Sequence, residues 1–280
     1  MNNNFDNNSP IESNNNPGMT DQLFLNKKWK FALLTICAYC ILSFIAPIIY
    51  QIILMVIYGI FTNGDLTSED ALIFYSSYTH IITYTILTPV IILLSIFSIK
   101  EDIFKFKNQT NIIKAIISIV AAPIAMYLAM FIVSIIMELL HLNDTSDNQK
   151  ALNSVLYGPY KAGIILTVVL MAPIIEELVF RKAIHTAIKP SDKSTAFKII
   201  RVLVSGFCFG MLHVVSPMLQ YLLAGEFLNS VLALLQVFPY LVMGLVFGAV
   251  YEINDGNVFP GIVIHAIWNT ISILATYLLK

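Results

Sequence analysis

The chain has 280 residues, of which 58% are hydrophobic and only 12% are charged. A water-soluble protein of this length cannot bury so much apolar surface, whereas a lipid bilayer solvates apolar helix surfaces directly. The formal net charge of −1, without a basic patch interleaved with aromatic residues, excludes nucleic acid as a partner class. Composition therefore predicts an all-α protein, a polytopic bundle of transmembrane helices.

The N-terminal segment 1–26 differs in composition from the rest of the chain. It is rich in asparagine, contains Pro10 and Pro17, and has no apolar core. This composition predicts a disordered tail and not a signal peptide, which needs a short apolar region. We therefore expect the first long apolar run to be a spanning helix that is retained.

Seven apolar runs are long enough to cross a bilayer, which takes about 20 residues. They lie at approximately 31–60, 71–98, 112–140, 163–181, 200–217, 230–251 and 258–279. The stretch 216–230, with Pro217 and Gly225 between apolar residues, is predicted to be a loop or a short re-entrant piece. The chain is thus divided into the tail, N-terminal transmembrane helices at 27–162 and a core at 163–280, with seven to eight spans in total.

Lysine and arginine positions predict the orientation of the spans. With Arg181 set aside as intramembrane, twelve of the other 15 basic residues lie in alternate connecting segments. Cytoplasmic loops are enriched in lysine and arginine, so we expect these segments and the N-terminus in the cytoplasm. The loop 252–257 is predicted to lie on the same side but has no lysine or arginine. Because the loop is very short, this does not change the predicted orientation. The twelve are Lys27, Lys28, Lys30, Lys100, Lys105, Lys107, Lys114, Lys182, Lys189, Lys193, Lys198 and Arg201.

Three charged residues interrupt the fourth apolar run, Glu176, Glu177 and Arg181. Charges inside spans are costly and are functional candidates by default. Glu177 and Arg181 are four residues apart, so they share a helix face and can pair. Glu176 is rotated by about 100° from its neighbour. The pattern predicts one structural ion pair and one carboxylate that remains available for chemistry.

Two later spans carry polar groups that complement this carboxylate. His213 follows Phe209 by one turn in the fifth, and His265 and Asn269 share a face of the seventh. If these helices pack together, the groups can deprotonate a water molecule and donate hydrogen bonds to an oxyanion. Glu176, His213 and His265 can alternatively bind a divalent metal. The usual zinc-protease pattern H-E-x-x-H is absent from the sequence.

The other histidines have simpler interpretations. A single histidine in an apolar helix is more often part of an interhelical hydrogen bond than a catalyst, and His80 is assigned to that class. His141 and His185 lie near the ends of spans and are expected to be interfacial or solvated.

The three motifs, Glu-Glu-x-x-x-Arg at 176–181, Phe-x-x-x-His at 209–213 and His-x-x-x-Asn at 265–269, resemble in order and spacing those of the CPBP family. That family contains the type II CAAX prenyl endopeptidases and bacterial bacteriocin-processing or self-immunity proteins. The resemblance covers roughly residues 163–279. It implies a helical intramembrane protease whose active site opens toward the cytoplasm.

The resemblance also implies a role for each motif residue. Glu176 would be the general base that activates water, with His213 helping to hold it, while His265 and Asn269 would stabilise the tetrahedral oxyanion. Arg181 would steer a substrate carboxylate. Glu177 and Phe209, together with Arg181, complete the set as supporting residues.

The sequence leaves two alternatives for the cofactor and indicates the substrate only by class. The family is commonly called a metalloprotease, so a zinc ion held by Glu176, His213 and His265 is one alternative and a metal-free mechanism is the other. Lysine outnumbers arginine 14 to 2, which suggests an AT-rich bacterial genome and a plasma-membrane location. A bacteriocin leader or another membrane protein is then expected as substrate in preference to a prenylated protein.

Two other classes of function fit the same sequence features. One is a non-catalytic membrane scaffold or bacteriocin immunity protein of the same fold. The other is a transporter or proton relay, because buried glutamate and histidine also mark ion paths, although the sequence has no internal repeat of the transporter kind. Membrane lipid and a peptide or membrane-protein substrate are the expected partners, and the sequence predicts no oligomeric state.

Overall fold

The computed structural model describes residues 19–62, 65–139, 142, 146–188, 192 and 194–278. All regular structure in these ranges is helical, which confirms the all-α prediction. The α-helical segments are Met19–Cys40, Ala46–Thr62, Glu69–Lys105, Gln109–Leu139, Asp147–Leu156, Lys161–Leu166, Ala172–Glu176, Ile184–Ala187, Thr195–Leu223, Phe227–Leu235, Val237–Ile253 and Phe259–Leu278. Three π-helical segments, Ile41–Ile45, Thr167–Met171 and Glu177–Ala183, continue directly into their α-helical neighbours.

In the part of the chain that the structure describes, seven helices are long and apolar enough to cross a membrane, which agrees with the seven apolar runs of the sequence. The stretch 216–230 is not re-entrant, because its helix continues through Pro217 to Leu223 and the next begins at Phe227 after a short turn. Within that turn, Gly225 has a φ of 77°, a backbone conformation that glycine adopts without strain. The spans, numbered 1 to 7, are Lys27–Thr62, Glu69–Lys105, Gln109–Leu139, Lys161–Ala187, Thr195–Leu223, Phe227–Ile253 and Phe259–Leu278.

The outer surface of the bundle is a belt of large apolar side chains. Ile52, Ile60, Ile117 and Leu128, from spans 1 and 3, are all more than half exposed, and many similar residues surround them. Such a surface is stable in lipid but not in water. The chain is therefore an integral membrane protein.

The first helix begins earlier than the composition of the N-terminal segment predicts. It starts at Met19, so residues 19–26 are helical. Extending an existing helix requires no new nucleation, which explains why a segment of weak hydrophobicity continues the span. Residues 1–18 lie outside the described residues.

Alternate ends of the spans meet at one face of the bundle, here called the lysine-rich end. The loop after span 6 is its centre: Lys105 donates hydrogen bonds to the carbonyl oxygens of Asp255 and Gly256, and Lys114 Nζ lies 2.7 Å from Asp255 Oδ2. The loop that lacks positive charge in the sequence thus receives lysines from neighbouring spans. The opposite face, with the connections after spans 1, 3 and 5, is called the lysine-poor end.

Two basic residues assigned to a cytoplasmic loop are instead buried in the bundle. Lys182 is 8% exposed and its Nζ lies 2.6 Å and 2.7 Å from the two carboxylate oxygens of Asp102, which is fully buried. Arg201 Nε lies 2.8 Å from Glu252 Oε1. Their carboxylate partners come from spans 2 and 6, far away in sequence, so the sequence pattern does not indicate this burial; the side of the membrane on which both residues lie stays a prediction.

Spans 5 and 6 approach each other closely at a pair of glycines. A Cβ atom on Gly244 would lie 2.7 Å from the carbonyl oxygen of Gly206 and 2.8 Å from its Cα. Small residues let helix backbones come together in membranes, where van der Waals packing drives association. One turn later Phe209 and Phe247, from the same two spans, are buried in the core next to the fourth span.

Candidate active site

Span 4 is irregular where it carries its charged residues. The α-helical segment Ala172–Glu176 lies between the π-helical segments Thr167–Met171 and Glu177–Ala183. π-Helical turns are rare and are frequent at functional sites, because they widen the helix and redirect its side chains. Every residue from Ile175 to Ala183 is buried.

Glu177 and Arg181 form the predicted ion pair. Arg181 Nε lies 3.4 Å from Glu177 Oε2, and both side chains are fully buried. The guanidinium also donates from Nη2 to the carbonyl oxygen of Gly244 and lies over the rings of Phe209 and Phe247, at 4.8 Å and 5.3 Å from their centroids. The group is enclosed on all these sides, which favours a structural role for Arg181; its role in steering a substrate carboxylate stays a prediction.

His265 lies between the two glutamates of span 4. Its Nδ1 is 3.2 Å from Glu177 Oε1 and its Nε2 is 3.8 Å from Glu176 Oε2. An ionised carboxylate only accepts hydrogen bonds, so Nδ1 carries a hydrogen. A regular helix would turn the two carboxylates about 100° apart. Both nevertheless lie against one imidazole, because the ring presents a nitrogen to each and the π-helical segment begins at Glu177.

Glu176 differs from Glu177 in forming no ion pair with a lysine or arginine among the described residues, although neither Oε2 atom has a hydrogen-bond partner there. It is 5% exposed, and its Oε2 makes no hydrogen bond with any residue that the structure describes. The 3.8 Å to His265 Nε2 is too long for a hydrogen bond. A buried carboxylate oxygen thus faces an imidazole nitrogen without being tied to it.

His213 is oriented by its own helix and by two aromatic rings. Nδ1 lies 2.9 Å from the carbonyl oxygen of Phe209, which only accepts, so Nδ1 carries the hydrogen and the neutral ring keeps its lone pair on Nε2. The imidazole stacks on Tyr240 at 4.4 Å and 13°. Among the contacts of the described residues, no hydrogen bond or ion pair joins His213 to Glu176. Its role as a partner of that carboxylate stays a prediction.

Phe209 connects the two imidazoles. Its ring centroid lies 4.7 Å from that of His213 and 5.8 Å from that of His265. The ring is 1% exposed and contacts Phe180 and Phe247 edge-on. The motif phenylalanine therefore sets the distance between the histidines.

Asn269 joins span 7 to span 4. Its Nδ2 donates a hydrogen bond of 2.8 Å to the carbonyl oxygen of Val168, within the first π-helical segment of span 4. An amide group has two hydrogens, so one remains for another acceptor. Asn269 is thus placed to position the helices and to donate a second hydrogen bond.

The residues do not group as a metal site. Among the described residues, no three histidine, cysteine, aspartate or glutamate side chains converge closely enough to hold an ion, and this includes Glu176, His213 and His265.

The structure also tests the interpretations given to the other histidines. His185 is buried and hydrogen-bonds Glu252 through Nδ1 and Ser205 through Nε2, so its assignment as interfacial or solvated was wrong. His80 bonds Thr167 across two spans, as predicted, and His141 lies outside the described residues.

Gly261, one turn before His265, also contributes to the site and was not predicted from the sequence. A Cβ atom at this position would lie 2.7 Å from Glu177 Oε2. The absence of a side chain lets span 7 approach the carboxylate. A glycine in an apolar helix has many explanations, so only the structure identifies this one.

Comparison with known proteins finds a family match in the part of the chain that contains these residues. Residues 158–271 match the family described as type II CAAX prenyl endopeptidase Rce1-like. An uncharacterized protein of Mycoplasma capricolum subsp. capricolum is 27% identical over 188 residues, which cover 63% of this chain and 48% of that protein. The chain thus spans about half the length of this curated relative. No solved structure matches it significantly. The family resemblance predicted from the three motifs is confirmed for residues 158–271.

Proposed function

We propose that this Rce1-like chain is an intramembrane endopeptidase that hydrolyses a peptide bond of a membrane-associated protein or peptide. The observation that carries the proposal is the contrast between two adjacent carboxylates. Glu177 pairs with Arg181 and lies 3.2 Å from His265 Nδ1, whereas the one ion-pair contact of Glu176 among the described residues is His265 Nε2, at 3.8 Å. A carboxylate of this kind is suited to general-base chemistry.

In the proposed reaction Glu176 accepts one proton from a water molecule. The water oxygen attacks the carbonyl carbon of the scissile bond, and the carbonyl electrons move to its oxygen, which becomes an oxyanion. The proton on Glu176 then passes to the amide nitrogen as the C–N bond breaks. The products are a carboxylic acid and an amine, and Glu176 returns to its ionised form.

The two histidines have different parts in this scheme. His213 accepts the second hydrogen of the water on Nε2, because its Nδ1 hydrogen is held by the Phe209 carbonyl. His265 donates from Nε2 to the oxyanion while Nδ1 donates to Glu177.

Asn269 supplies the second donor to the oxyanion. One amide hydrogen is used on Val168, and the other is available to the substrate. Preorganised donors aimed at a developing oxyanion contribute about 10²-fold to 10³-fold each to the rate.

The cellular setting is proposed on separate grounds. The lysine distribution supports an N-terminus in the cytoplasm. The lysine-rich composition and the Mycoplasma relative support a bacterial plasma membrane. A bacteriocin leader or another membrane protein is the substrate that this setting favours.

The test is cleavage of a membrane-peptide library by protein reconstituted in liposomes, with products identified by mass spectrometry. Glu176→Gln keeps the shape of the side chain but removes the base, so we expect a fall of about 10²-fold to 10⁴-fold. The matched control is Glu226→Gln, since Glu226 lies in an exposed turn at the lysine-poor end and should leave the rate unchanged. Equal rates for Glu176→Gln and wild type would reject the role of Glu176. A folded wild-type protein that cleaves no peptide would favour the scaffold alternative.

A further inference from the structure

Span 2 lies along span 4 and contacts it at both ends. His80 Nε2 lies 2.9 Å from Thr167 Oγ1, and at the lysine-rich end Asp102 pairs with Lys182. The helix Ala172–Glu176 lies between these two contacts along span 4 and also packs against span 2. Span 2 can therefore bring polar groups of its own to the candidate active site, and the proposed reaction uses none of them so far.

Two tyrosines of the N-terminal spans lie in the surroundings of Glu176. The charge of this carboxylate acts on the phenol groups of Tyr39, in span 1, and Tyr84, in span 2. The Tyr39 ring is buried and meets Phe180, one turn after Glu176, edge-on at a centroid distance of 5.7 Å. Tyr84 is partly buried and packs against the same apolar core. The proposed general base thus has two phenols near it.

The two phenol hydroxyls differ in their hydrogen bonding. The Tyr39 hydroxyl bonds the side chain of Ser43, one turn further along span 1. The Tyr84 hydroxyl forms no hydrogen bond with any residue that the structure describes. A phenol in an apolar interior normally has a hydrogen-bond partner. Tyr84 therefore has a hydrogen available for a group that enters the site.

His80 holds the ring of Tyr84 in place. The two ring centroids are 4.6 Å apart and the rings are inclined by 35°. Thr167 donates its one hydroxyl hydrogen within its own helix, so its oxygen accepts from His80 Nε2. The next residue, Val168, accepts the hydrogen bond from Asn269. Spans 2 and 7 thus contact neighbouring residues of one π-helical segment, which brings Tyr84 and Asn269 to the same level of the bundle.

We propose that Tyr84 is a further catalytic residue, whose hydroxyl donates a hydrogen bond to the oxyanion together with His265 and Asn269. The inference rests on the proposed peptidase function. The oxyanion forms only as water attacks, so this hydrogen bond is strongest in the transition state. The O–H bond of Tyr84 does not break, so the proton balance of the reaction is unchanged. Because Tyr84 lies outside residues 158–271, the catalytic set extends beyond the segment that matches the family.

The test is Tyr84→Phe, which removes the hydroxyl and keeps the ring against His80. Because the hydroxyl has no partner among the described residues, the melting temperature in detergent should not change. The liposome assay then uses the peptide of the library that the wild-type protein cleaves fastest. We expect kcat to fall by about tenfold to 100-fold, the contribution of a hydrogen bond to a charged group, while KM stays near its wild-type value.

Tyr39→Phe is the matched control. It makes the same change near Glu176, but at a hydroxyl that Ser43 already occupies, so kcat should stay at the wild-type value. A second variant, Tyr84→4-aminophenylalanine, places an N–H donor where the hydroxyl was. It should recover part of the kcat that Tyr84→Phe loses, which a purely structural role of the ring would not explain.

Other results would overturn the inference or separate it from the proposed function. A wild-type kcat for Tyr84→Phe, in protein that cleaves peptide, would reject the role of Tyr84 and retain the peptidase. A change in KM alone would reject it as well, because the hydroxyl would then bind the substrate before reaction. Equal losses in Tyr84→Phe and Tyr39→Phe, or no recovery with the N–H donor, would assign the effect to packing. A folded wild-type protein that cleaves no peptide would reject the peptidase itself and this role with it.

Discussion

Replacing Gly261 by alanine probes the packing that holds Glu177 in place. The added Cβ would lie 2.7 Å from Glu177 Oε2 and 3.4 Å from Cδ, where ordinary contact begins at 3.4 Å. The carboxylate would have to move by about 0.7 Å to restore van der Waals distance. It is not free to do so, because Arg181 and His265 hold its two oxygens at 3.4 Å and 3.2 Å.

The expected cost follows from two opposing effects. Overpacking a buried site destabilises by about 1–3 kcal/mol, whereas glycine to alanine in a helix stabilises by about 0.5–1 kcal/mol. The net loss expected from these two ranges is about 0–2.5 kcal/mol, with about 1 kcal/mol at the centre. A displacement of this size near reacting groups lowers the rate by about tenfold to 100-fold.

Gly59→Ala is the matched control for this substitution. It makes the same change in a spanning helix, and the nearest atom to its Cβ, Leu66 Cδ2, lies at an ordinary 3.4 Å. Thermal unfolding in detergent and peptide cleavage are measured for both variants. Gly261→Ala should lose stability and activity while Gly59→Ala keeps both. If the two variants behave alike, the close approach of span 7 to Glu177 has no functional consequence and the reasoning is refuted.

Three further outcomes are expected. Gly244→Ala places its Cβ against backbone atoms of Gly206, which cannot rotate away, so its melting temperature should fall further than that of Gly261→Ala. Asp102→Asn leaves the buried Lys182 without a carboxylate and should cost about 3–5 kcal/mol, much of it recovered by Lys182→Met in the double variant; a double variant no more stable than Asp102→Asn would contradict this. Peptide cleavage should persist in a chelator, because no three ligand residues converge among the described ones; loss of activity that zinc restores would overturn the metal-free scheme.

The sequence predicts those features that depend on local pattern. Runs of about 20 apolar residues identify all seven spans, and the spacing of Glu177 and Arg181 identifies their ion pair. Three motifs in order predict the resemblance to the family whose model matches residues 158–271. Each of these signals is contained in a short stretch of chain, so no knowledge of packing is needed.

The remaining features depend on contacts between residues far apart in the chain. Asp102 and Lys182 are 80 residues apart, and neither spacing nor composition pairs them. The placement of both glutamates around His265 depends on a π-helical turn that hydrophobic periodicity does not indicate. Tyr240 is one of many aromatic residues in the spans until the structure stacks it on His213.

The most direct test of the central claim compares Glu176→Asp with Glu176→Gln in the same liposome cleavage assay. Aspartate keeps a carboxylate that is one methylene shorter, whereas glutamine keeps the length but has no base. If Glu176 is the general base, Glu176→Asp should cleave measurably at a reduced rate. The cleavage rate of Glu176→Gln should fall by about 10²-fold to 10⁴-fold, with both proteins folded. Cleavage by Glu176→Gln at the wild-type rate would contradict the account.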